Sequence, residues 1–205
     1  MGYSTRMNII EAAEKLFAQK GYSATSVRDI AHAAEISPAM IHYYFHTKEQ
    51  LLDAISSGLR DSFDEITTIM NGFTGTAFGK MECLVKYYVR KIFESGPVVY
   101  ILLNEQQVCS TEFSRKLLQY LANKQWSLFL NIIHEGRQKG EFKYDVDVKM
   151  LYASIQGTTR YFLFNDKHMI KYRSFPLKQI SFRNMQKQVV SHLLQMIDNM
   201  LVIKT

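Results

Sequence analysis

The sequence predicts an all-α protein. Apolar residues recur at the i, i+3, i+4, i+7 spacing of a helix face through most of the 205 residues. Residues that start helices and residues that end them bracket these stretches, and no segment alternates apolar and polar residues as a half-buried strand does. Hydrophobic residues make up 47% of the chain, which is enough to fill a real core.

The first two helices are predicted from their apolar faces and from their ends. The first apolar face consists of Ile9, Ala12, Ala13, Leu16 and Phe17. Gly21 follows this face and ends the helix, as glycine commonly does. Ser26 and Asp29 have the spacing of a capping box, so a second, short helix begins there. Its buried stripe consists of Val27, Ile30, Ala31 and Ala34.

Two further helices follow closely. Ser37 is a candidate N-cap and Pro38 a candidate first residue of the third helix. Thr47 and Gln50 repeat the capping-box spacing and open the fourth helix. Apolar residues at helical spacing carry that helix towards residues 71–72.

The third helix contains four consecutive ring side chains, "HYYF", at residues 42–45. At about 100° per residue these rings divide between two sides of the helix. The side predicted to face the core carries Ile41, Tyr44 and Phe45. The side predicted to face outward carries Ala39, His42 and Tyr43. Together with the helix before it, this one forms a helix-turn-helix over residues 26–45, and the second helix of that motif enters the major groove of DNA.

The rest of the chain is predicted to form longer helices. One ends at the "SGP" sequence of residues 95–97, and a shorter helix covers 98–108. A long helix spans 111–139, and the last two helices cover 147–164 and 179–202. An aspartate opens the first of these last two and is a candidate N-cap.

The formal net charge of +6 lies outside the helix-turn-helix. Residues 1–50 carry five Lys/Arg and five Asp/Glu, so the later residues supply the whole excess. Bulk charge therefore does not by itself identify the N-terminal region as a nucleic-acid binder.

Several classes of protein are not predicted. No apolar run reaches the roughly 18 residues of a membrane-spanning helix, and the N-terminus lacks the pattern of a secretory signal. A cytoplasmic location with no membrane partner is therefore expected. No Gly-rich phosphate loop, zinc motif or nucleophile elbow occurs, so neither enzyme activity nor a metal or cofactor is expected.

Residues 9–52, "IIEAAEKLFAQKGYSATSVRDIAHAAEISPAMIHYYFHTKEQLL", resemble the tetracycline-repressor (TetR) family of bacterial transcription regulators. Five dipeptides are in register with the family pattern: Gly21-Tyr22, Ala24-Thr25, Ile30-Ala31, Tyr44-Phe45 and Lys48-Glu49. Members of this family are all-helical homodimers. The resemblance implies a DNA-binding domain at residues 1–62 and a larger helical lobe at 63–205 that binds an effector and dimerises through the last two helices.

The resemblance also implies which residues contact DNA. Matched residue by residue, these are Ser26, Arg28, Ser37, Ala39, Met40, His42, Tyr43 and Lys48. Lys48 takes the place of a phosphate-binding lysine at the start of the fourth helix, where backbone N–H groups also favour an anion. Two residues depart from the family pattern. Glu35 stands in the turn where the family often has glycine, and Pro38 replaces a frequent lysine, so both are expected to weaken DNA binding.

The sequence indicates the residues of the effector cavity less specifically than the residues that contact DNA. The residues implied to line it are Tyr88, Tyr100, Asn104, Gln107, Trp126, Phe129, Tyr152 and Gln156. Their rings and amides, with few charges, favour a small, mostly apolar and partly aromatic effector. The alternative is that the rings are core residues and that the amides face solvent or one another.

These observations predict a ligand-responsive transcription regulator that binds double-stranded DNA as a homodimer. The expected mode of action is repression from a pseudo-palindromic operator, with release by the effector. The alternative function is a helical small-molecule sensor that does not bind an operator. The neutral charge of the N-terminal region, Glu35 and Pro38 are the features that favour this alternative.

Overall fold

A computed structural model describes residues 2–95, 98–99, 101–102, 112–169 and 182–203. Over these ranges the chain is all-α, as predicted, apart from one isolated bridge described below. The helices are α1 (Gly2–Lys20), α2 (Val27–Ala33), α3 (Pro38–Phe45), α4 (Lys48–Gly72), α5 (Ala77–Glu94), α6 (Glu112–Gln138), α7 (Val148–Met169) and α8 (Phe182–Leu201).

The helix ends follow the sequence signals closely. α1 ends directly before Gly21 and α5 directly before the "SGP" sequence. α7 continues to Met169, five residues beyond its predicted end at 164. Residues 98–99 and 101–102 are helical, and the remainder of the helix predicted at 98–108 lies outside the described residues.

The chain divides into two compact units. The first comprises Met1–Asp61 and Ser95–Ala122, and the second comprises Ser62–Glu94 and Asn123–Thr205. α4 is one continuous helix that contributes residues to both units. The boundary between functional domains at residue 62 stays a prediction.

The core of the first unit is formed where α1, α2 and α3 pack on one another. Its fully buried large side chains include Ile9, Phe17, Ile30, Ile41 and Leu51. Burying each such side chain stabilises the fold by about 1.5–3 kcal/mol. The edge of Tyr22 packs against Phe17 with ring centroids 5.0 Å apart. This packing holds the end of α1 against its connection to α2.

Side-chain caps set the starts of the short helices. The predicted capping box at α2 is confirmed, because the Asp29 amide donates to Ser26 Oγ (3.1 Å) and the Ser26 amide donates to the Asp29 carboxylate (2.8 Å). Thr47 Oγ1 accepts the Gln50 amide at 3.1 Å before α4. Ser37 occupies the N-cap of α3 but makes no side-chain cap hydrogen bond, and Pro38 follows it at the first helical position.

In the second unit α5 packs against α7 and α8, and residues of α4 and α6 complete the core. α7 begins as predicted at an aspartate cap, since Asp147 Oδ1 accepts the amides of Lys149 (3.0 Å) and Met150 (3.1 Å). The fully or almost fully buried residues at its centre include Ile66, Met81, Val89, Ile133, Leu151 and Leu193.

A close approach of the chain to itself fixes the end of α6. Phe142 is completely buried, and its amide donates to Gly136 O at 3.1 Å. A Cβ atom on Gly136 would lie 2.0 Å from the Phe142 ring, so only glycine fits there. Phe142 also forms an isolated antiparallel bridge with Val202, which sequence periodicity did not predict.

No described helix combines the length and the apolar character needed to cross a lipid bilayer.

The contact at Gly136 gives a test of the fold. Gly136→Ala is expected to lower the free energy of unfolding by about 3 kcal/mol, because the added methyl group overlaps a buried ring. Gly58→Ala is the control: Gly58 is an exposed residue of α4 with no atom near its Cβ position, and alanine there should stabilise the helix by about 0.5–1 kcal/mol. Urea unfolding measures both, and wild-type stability of Gly136→Ala would contradict the packing.

Candidate nucleic-acid interface and ligand pocket

The side chains of α3 divide between two faces, as predicted. Ile41 and Phe45 face the core and are 2% and 3% exposed, whereas Tyr43 is 74% exposed. Ala39 and His42 are also exposed and lie on the same side as Tyr43. We call Ala39, His42 and Tyr43 the recognition face. It combines a small residue, an imidazole and a phenol, which allows close approach to base edges and phosphates.

Tyr44, predicted to face the core, is only half-buried and packs edge-on against Tyr43 with ring centroids 5.2 Å apart. Met40 is half-buried as well. The inward side of α3 is therefore narrower than the sequence predicts, and Tyr44 supports the exposed ring of Tyr43.

The other predicted DNA contacts lie on nearby exposed positions. Arg28 and Ser37 are exposed at the first turn of α2 and at the N-cap of α3. Ser26 is exposed too, but its hydroxyl already donates to the Asp29 carboxylate at 2.6 Å. Contact of these residues with DNA stays a prediction.

Lys48 has a structural role that the sequence did not reveal. Its ammonium group donates to the carbonyl oxygens of Tyr22 (2.6 Å) and Thr25 (2.8 Å), and it lies 4.0 Å from the centroid of the Tyr22 ring. These bonds tie the first residue of α4 to the connection between α1 and α2. The predicted phosphate contact of Lys48 is untested, and the ammonium is half-buried among protein acceptors.

His46 lies in a strained turn between α3 and α4. Its φ and ψ angles are 54° and −53°, and the Thr47 amide donates to Phe45 O, which defines a γ-turn of the rare positive-φ type. The ring of His42 lies 2.9 Å from His46 O through Nδ1. Because a carbonyl oxygen only accepts, Nδ1 carries the hydrogen and Nε2 is the nitrogen left to face outward.

Glu35 has a φ angle of 54°, which confirms that the turn of the helix-turn-helix requires a left-handed residue. Such a conformation costs a non-glycine residue about 1–2 kcal/mol. The turn is held by bonds from the Ile36 amide to Ala31 O (3.0 Å) and from the Glu35 amide to His32 O (3.2 Å).

The second unit contains a cavity of about 30 Å³. It is lined by Leu84, Val85, Tyr88, Gln125, Phe129, Tyr152, Ile155 and Gln156. Four of these were predicted from the sequence, and Trp126 packs beside them, 5.0 Å from the Tyr152 ring. Tyr100, Asn104 and Gln107 lie outside the described residues.

Four polar side chains of this cavity form one hydrogen-bonded group, which we call the polar network: Tyr88, Gln125, Tyr152 and Gln156. The Tyr88 hydroxyl donates to Gln156 Oε1 at 2.5 Å, and Gln156 Nε2 donates to Gln125 Oε1 at 3.0 Å. The Tyr152 hydroxyl also donates to Gln125 Oε1, at 3.1 Å.

Burial raises the pKa of Tyr88 far above its ordinary value, so this phenol stays protonated and remains a donor. Sequence reasoning missed Gln125, although its position beside Trp126 on one helix was a usable signal.

Comparison with known proteins agrees with this geometry. The family model described as bacterial regulatory proteins, tetR family, matches residues 9–55. The HTH-type transcriptional repressor KstR2 of Rhodococcus jostii is 30% identical over 155 residues, which cover 75% of each chain. The protein of the same name in Mycolicibacterium smegmatis is 28% identical over 76% of each chain. The structure of the ketosteroid transcriptional regulator KstR2 of Mycobacterium tuberculosis superimposes with a TM-score of 0.76 at 22% identity, covering 97% of this chain and 95% of that one.

The all-α fold and the exposed face of α3 define a helix-turn-helix protein that binds DNA. The chain belongs to the tetR family of bacterial regulatory proteins. It is a ligand-responsive transcriptional repressor, as its sequence predicts, and its relatives are transcriptional regulators rather than enzymes.

The two faces of α3 can be separated by mutation. Tyr43→Ala is expected to weaken DNA binding at least several-fold with no change in stability, because the ring is exposed. Phe45→Ala is expected to destabilise the fold by about 3–5 kcal/mol through a core cavity. Thermal unfolding and gel-shift titration measure the two effects, and equal thermal losses in both variants would contradict the assignment of faces.

Glu35 offers a test of strain and charge together. Glu35→Gly is expected to raise the free energy of unfolding by about 1 kcal/mol, since glycine adopts positive φ freely but gains some entropy in the unfolded chain. Glu35→Gln removes the charge and keeps the strain, so it should match the wild type in stability. Both variants should bind DNA more tightly, because a carboxylate that repels phosphate is gone. Equal stability of the glycine and glutamine variants would contradict the strain.

Proposed function

We propose that this repressor acts in the cytoplasm as a homodimer on a pseudo-palindromic operator and leaves the operator when a mostly apolar effector binds the cavity of the second unit. The recognition face carries this proposal. The His42 imidazole and the Tyr43 ring are exposed on α3: the imidazole bonds to His46 O, the ring packs edge-on against Tyr44, and Tyr43 stays 74% exposed. They suit direct reading of the major groove.

The size of the recognition face supports a dimeric binder. One short helix of eight residues reaches only a few base pairs, which is too little surface for a specific site. Two such helices related by a two-fold axis would read half-sites about one helical turn of DNA apart. The operator is therefore expected to contain an inverted repeat.

The exposed apolar residues of the last two helices support a dimer interface there. The large ones are Met150 (62% exposed), Tyr161 (52%), Phe162 (38%) and Met200 (42%). Gly157 lies seven residues after Met150 and four before Tyr161, so the three share one face of α7, and the glycine leaves open space for a partner helix. Since α7 and α8 pack together within the unit, pairing them with the same two helices of a second copy gives a four-helix interface.

The size of the cavity supports a change of shape on effector binding. At about 30 Å³ it holds roughly two water molecules. A small-molecule site usually needs about 300–1,000 Å³. An effector must therefore push apart the helices that line the cavity. Effector binding is then coupled to the displacement of these helices.

α4 is the element that can carry this rearrangement. Ile66 and Met70 of α4 belong to the same core as Val85 and Tyr88 of α5, which line the cavity. Displacing α5 therefore disturbs the second half of α4, and the first half of that helix begins at Lys48 beside the helix-turn-helix. A preference of about 1–3 kcal/mol of the effector for the displaced state lowers operator affinity about 5–150-fold.

A gel-shift assay with the DNA that flanks the protein's own gene tests DNA binding directly. The wild type should retard a fragment with an inverted repeat, and Tyr43→Ala should need at least several-fold more protein to do so. Binding to no fragment at low salt would favour the alternative predicted from the sequence, a helical sensor that does not bind an operator.

The dimer interface is tested by introducing charge. Met150→Glu combined with Tyr161→Glu should give a folded monomer that loses operator binding, because two carboxylates are desolvated at the interface. Tyr144→Glu, a change at a tyrosine that is 72% exposed outside α7 and α8, is the control and should stay dimeric. Sedimentation velocity with gel shifts measures both properties. A dimer that tolerates the double change would contradict the assignment.

A further inference from the structure

We propose that the effector is an apolar carboxylic acid, with its carboxylate held by Arg160 and the side-chain amide of Gln125 at the polar end of the cavity. This inference rests on the proposed effector cavity and adds the chemical class of the ligand. It follows from which hydrogen-bonding groups of the cavity are already used and which are left.

In the polar network both amide oxygens already accept hydrogen bonds, whereas the amide nitrogen of Gln125 remains available as a donor. Gln125 Oε1 accepts two hydrogen bonds and Gln156 Oε1 accepts one. The amide nitrogen of Gln125 has no acceptor among the described residues, although this side chain lines the cavity. A ligand atom that meets this group must therefore be a hydrogen-bond acceptor.

The orientation of the two amides follows from Tyr88. If both amides were turned over, Gln156 would donate to the Tyr88 oxygen, and the buried hydroxyl would have no acceptor among the described residues. An unsatisfied buried hydroxyl costs about 1–3 kcal/mol. The arrangement in which Tyr88 donates and Gln125 presents its nitrogen is therefore favoured.

Arg160 supplies a positive charge at the same end. Arg160 is exposed and is not one of the lining residues, but it lies four residues after Gln156 and eight after Tyr152, one helical turn beyond the lining on the same face of α7. Burial raises the pKa of Tyr88, and the charge of Arg160 opposes that rise, which places the guanidinium near the hydroxyl. In the described part of the chain no carboxylate forms an ion pair with Arg160, and no acid acts on the pKa of Tyr88.

The remaining walls of the cavity are apolar. Leu84 and Val85 of α5, Phe129 of α6 and Ile155 of α7 supply them. A guanidinium recognises a carboxylate through two parallel hydrogen bonds, and the apolar walls receive a hydrocarbon body. A ligand without an acceptor atom would leave the Gln125 amide nitrogen unpaired, and a neutral carbonyl would satisfy that nitrogen but would not pair with the charge of Arg160.

Calorimetry with matched probe pairs tests this inference on the full-length protein. The straight-chain pair is decanoate and decanamide, and the ring pair is 2-naphthoate and 2-naphthamide, so that chain and ring bodies are compared separately. Each acid should bind about 10–100-fold more tightly than its amide, as expected for a charge-assisted hydrogen bond. Decyltrimethylammonium, the cationic probe, should bind more weakly than either member of the straight-chain pair.

Variants identify the residue responsible. Arg160→Gln should remove the preference for the acid while leaving the affinity for the amide within about twofold. Arg90→Gln removes the same charge from another exposed position, on α5 and not one turn beyond Gln156, and it should keep the preference. Thermal unfolding of both variants confirms that they are folded.

The outcomes separate this inference from the proposed function. Equal affinity for acid and amide, or a preference that survives in Arg160→Gln, overturns the carboxylate inference even if the amide releases the operator. Acids that bind as predicted but leave operator affinity unchanged support the inference and overturn release by this cavity. Binding of neither series contradicts both.

Discussion

The two hydrogen bonds from Lys48 to the connection of α1 with α2 are the constraint on which the helix-turn-helix depends. The Lys48 ammonium joins two carbonyl oxygens that lie 26 and 23 residues earlier in the chain, and it covers the face of Tyr22. Each charge-assisted hydrogen bond of this kind contributes about 1.5–3 kcal/mol. Without the ammonium, the first turn of α4 would lose two hydrogen bonds to that connection. The angle between the first turn of α4 and the connection of α1 with α2 depends on this contact.

The elements with local causes could be predicted from the sequence. The capping box of Ser26 and Asp29, the proline at the start of α3 and the stop at Gly21 each act within four residues, so their spacing alone determines the helix ends. The division of α3 into a buried and an exposed face follows from its 100° periodicity in the same way.

Contacts between distant residues could not be predicted. Nothing in the spacing of Lys48 and Thr25 indicates a hydrogen bond, and nothing around Gly136 indicates the ring of Phe142 against its Cα. Four of the predicted cavity residues do line the cavity, and they were predicted from the resemblance to the family, since no local spacing indicates a cavity. The small volume of the cavity, and the donors that face it, depend on side-chain packing and became visible only in three dimensions.

The most direct test of the account is amide hydrogen exchange on the DNA-free protein carrying Lys48→Gln, with Lys15→Gln, an exposed lysine of α1, as the control. Because no DNA phosphate is present, the rate of local opening then depends on the hydrogen bonds from Lys48 to Tyr22 O and Thr25 O. The account predicts that the Thr25 and Leu51 amides, bonded to Tyr22 O and Thr47 O, exchange about 10–100-fold faster in Lys48→Gln alone. Unchanged exchange and unchanged thermal stability, with operator affinity lost, would make Lys48 a phosphate ligand only and would contradict the account.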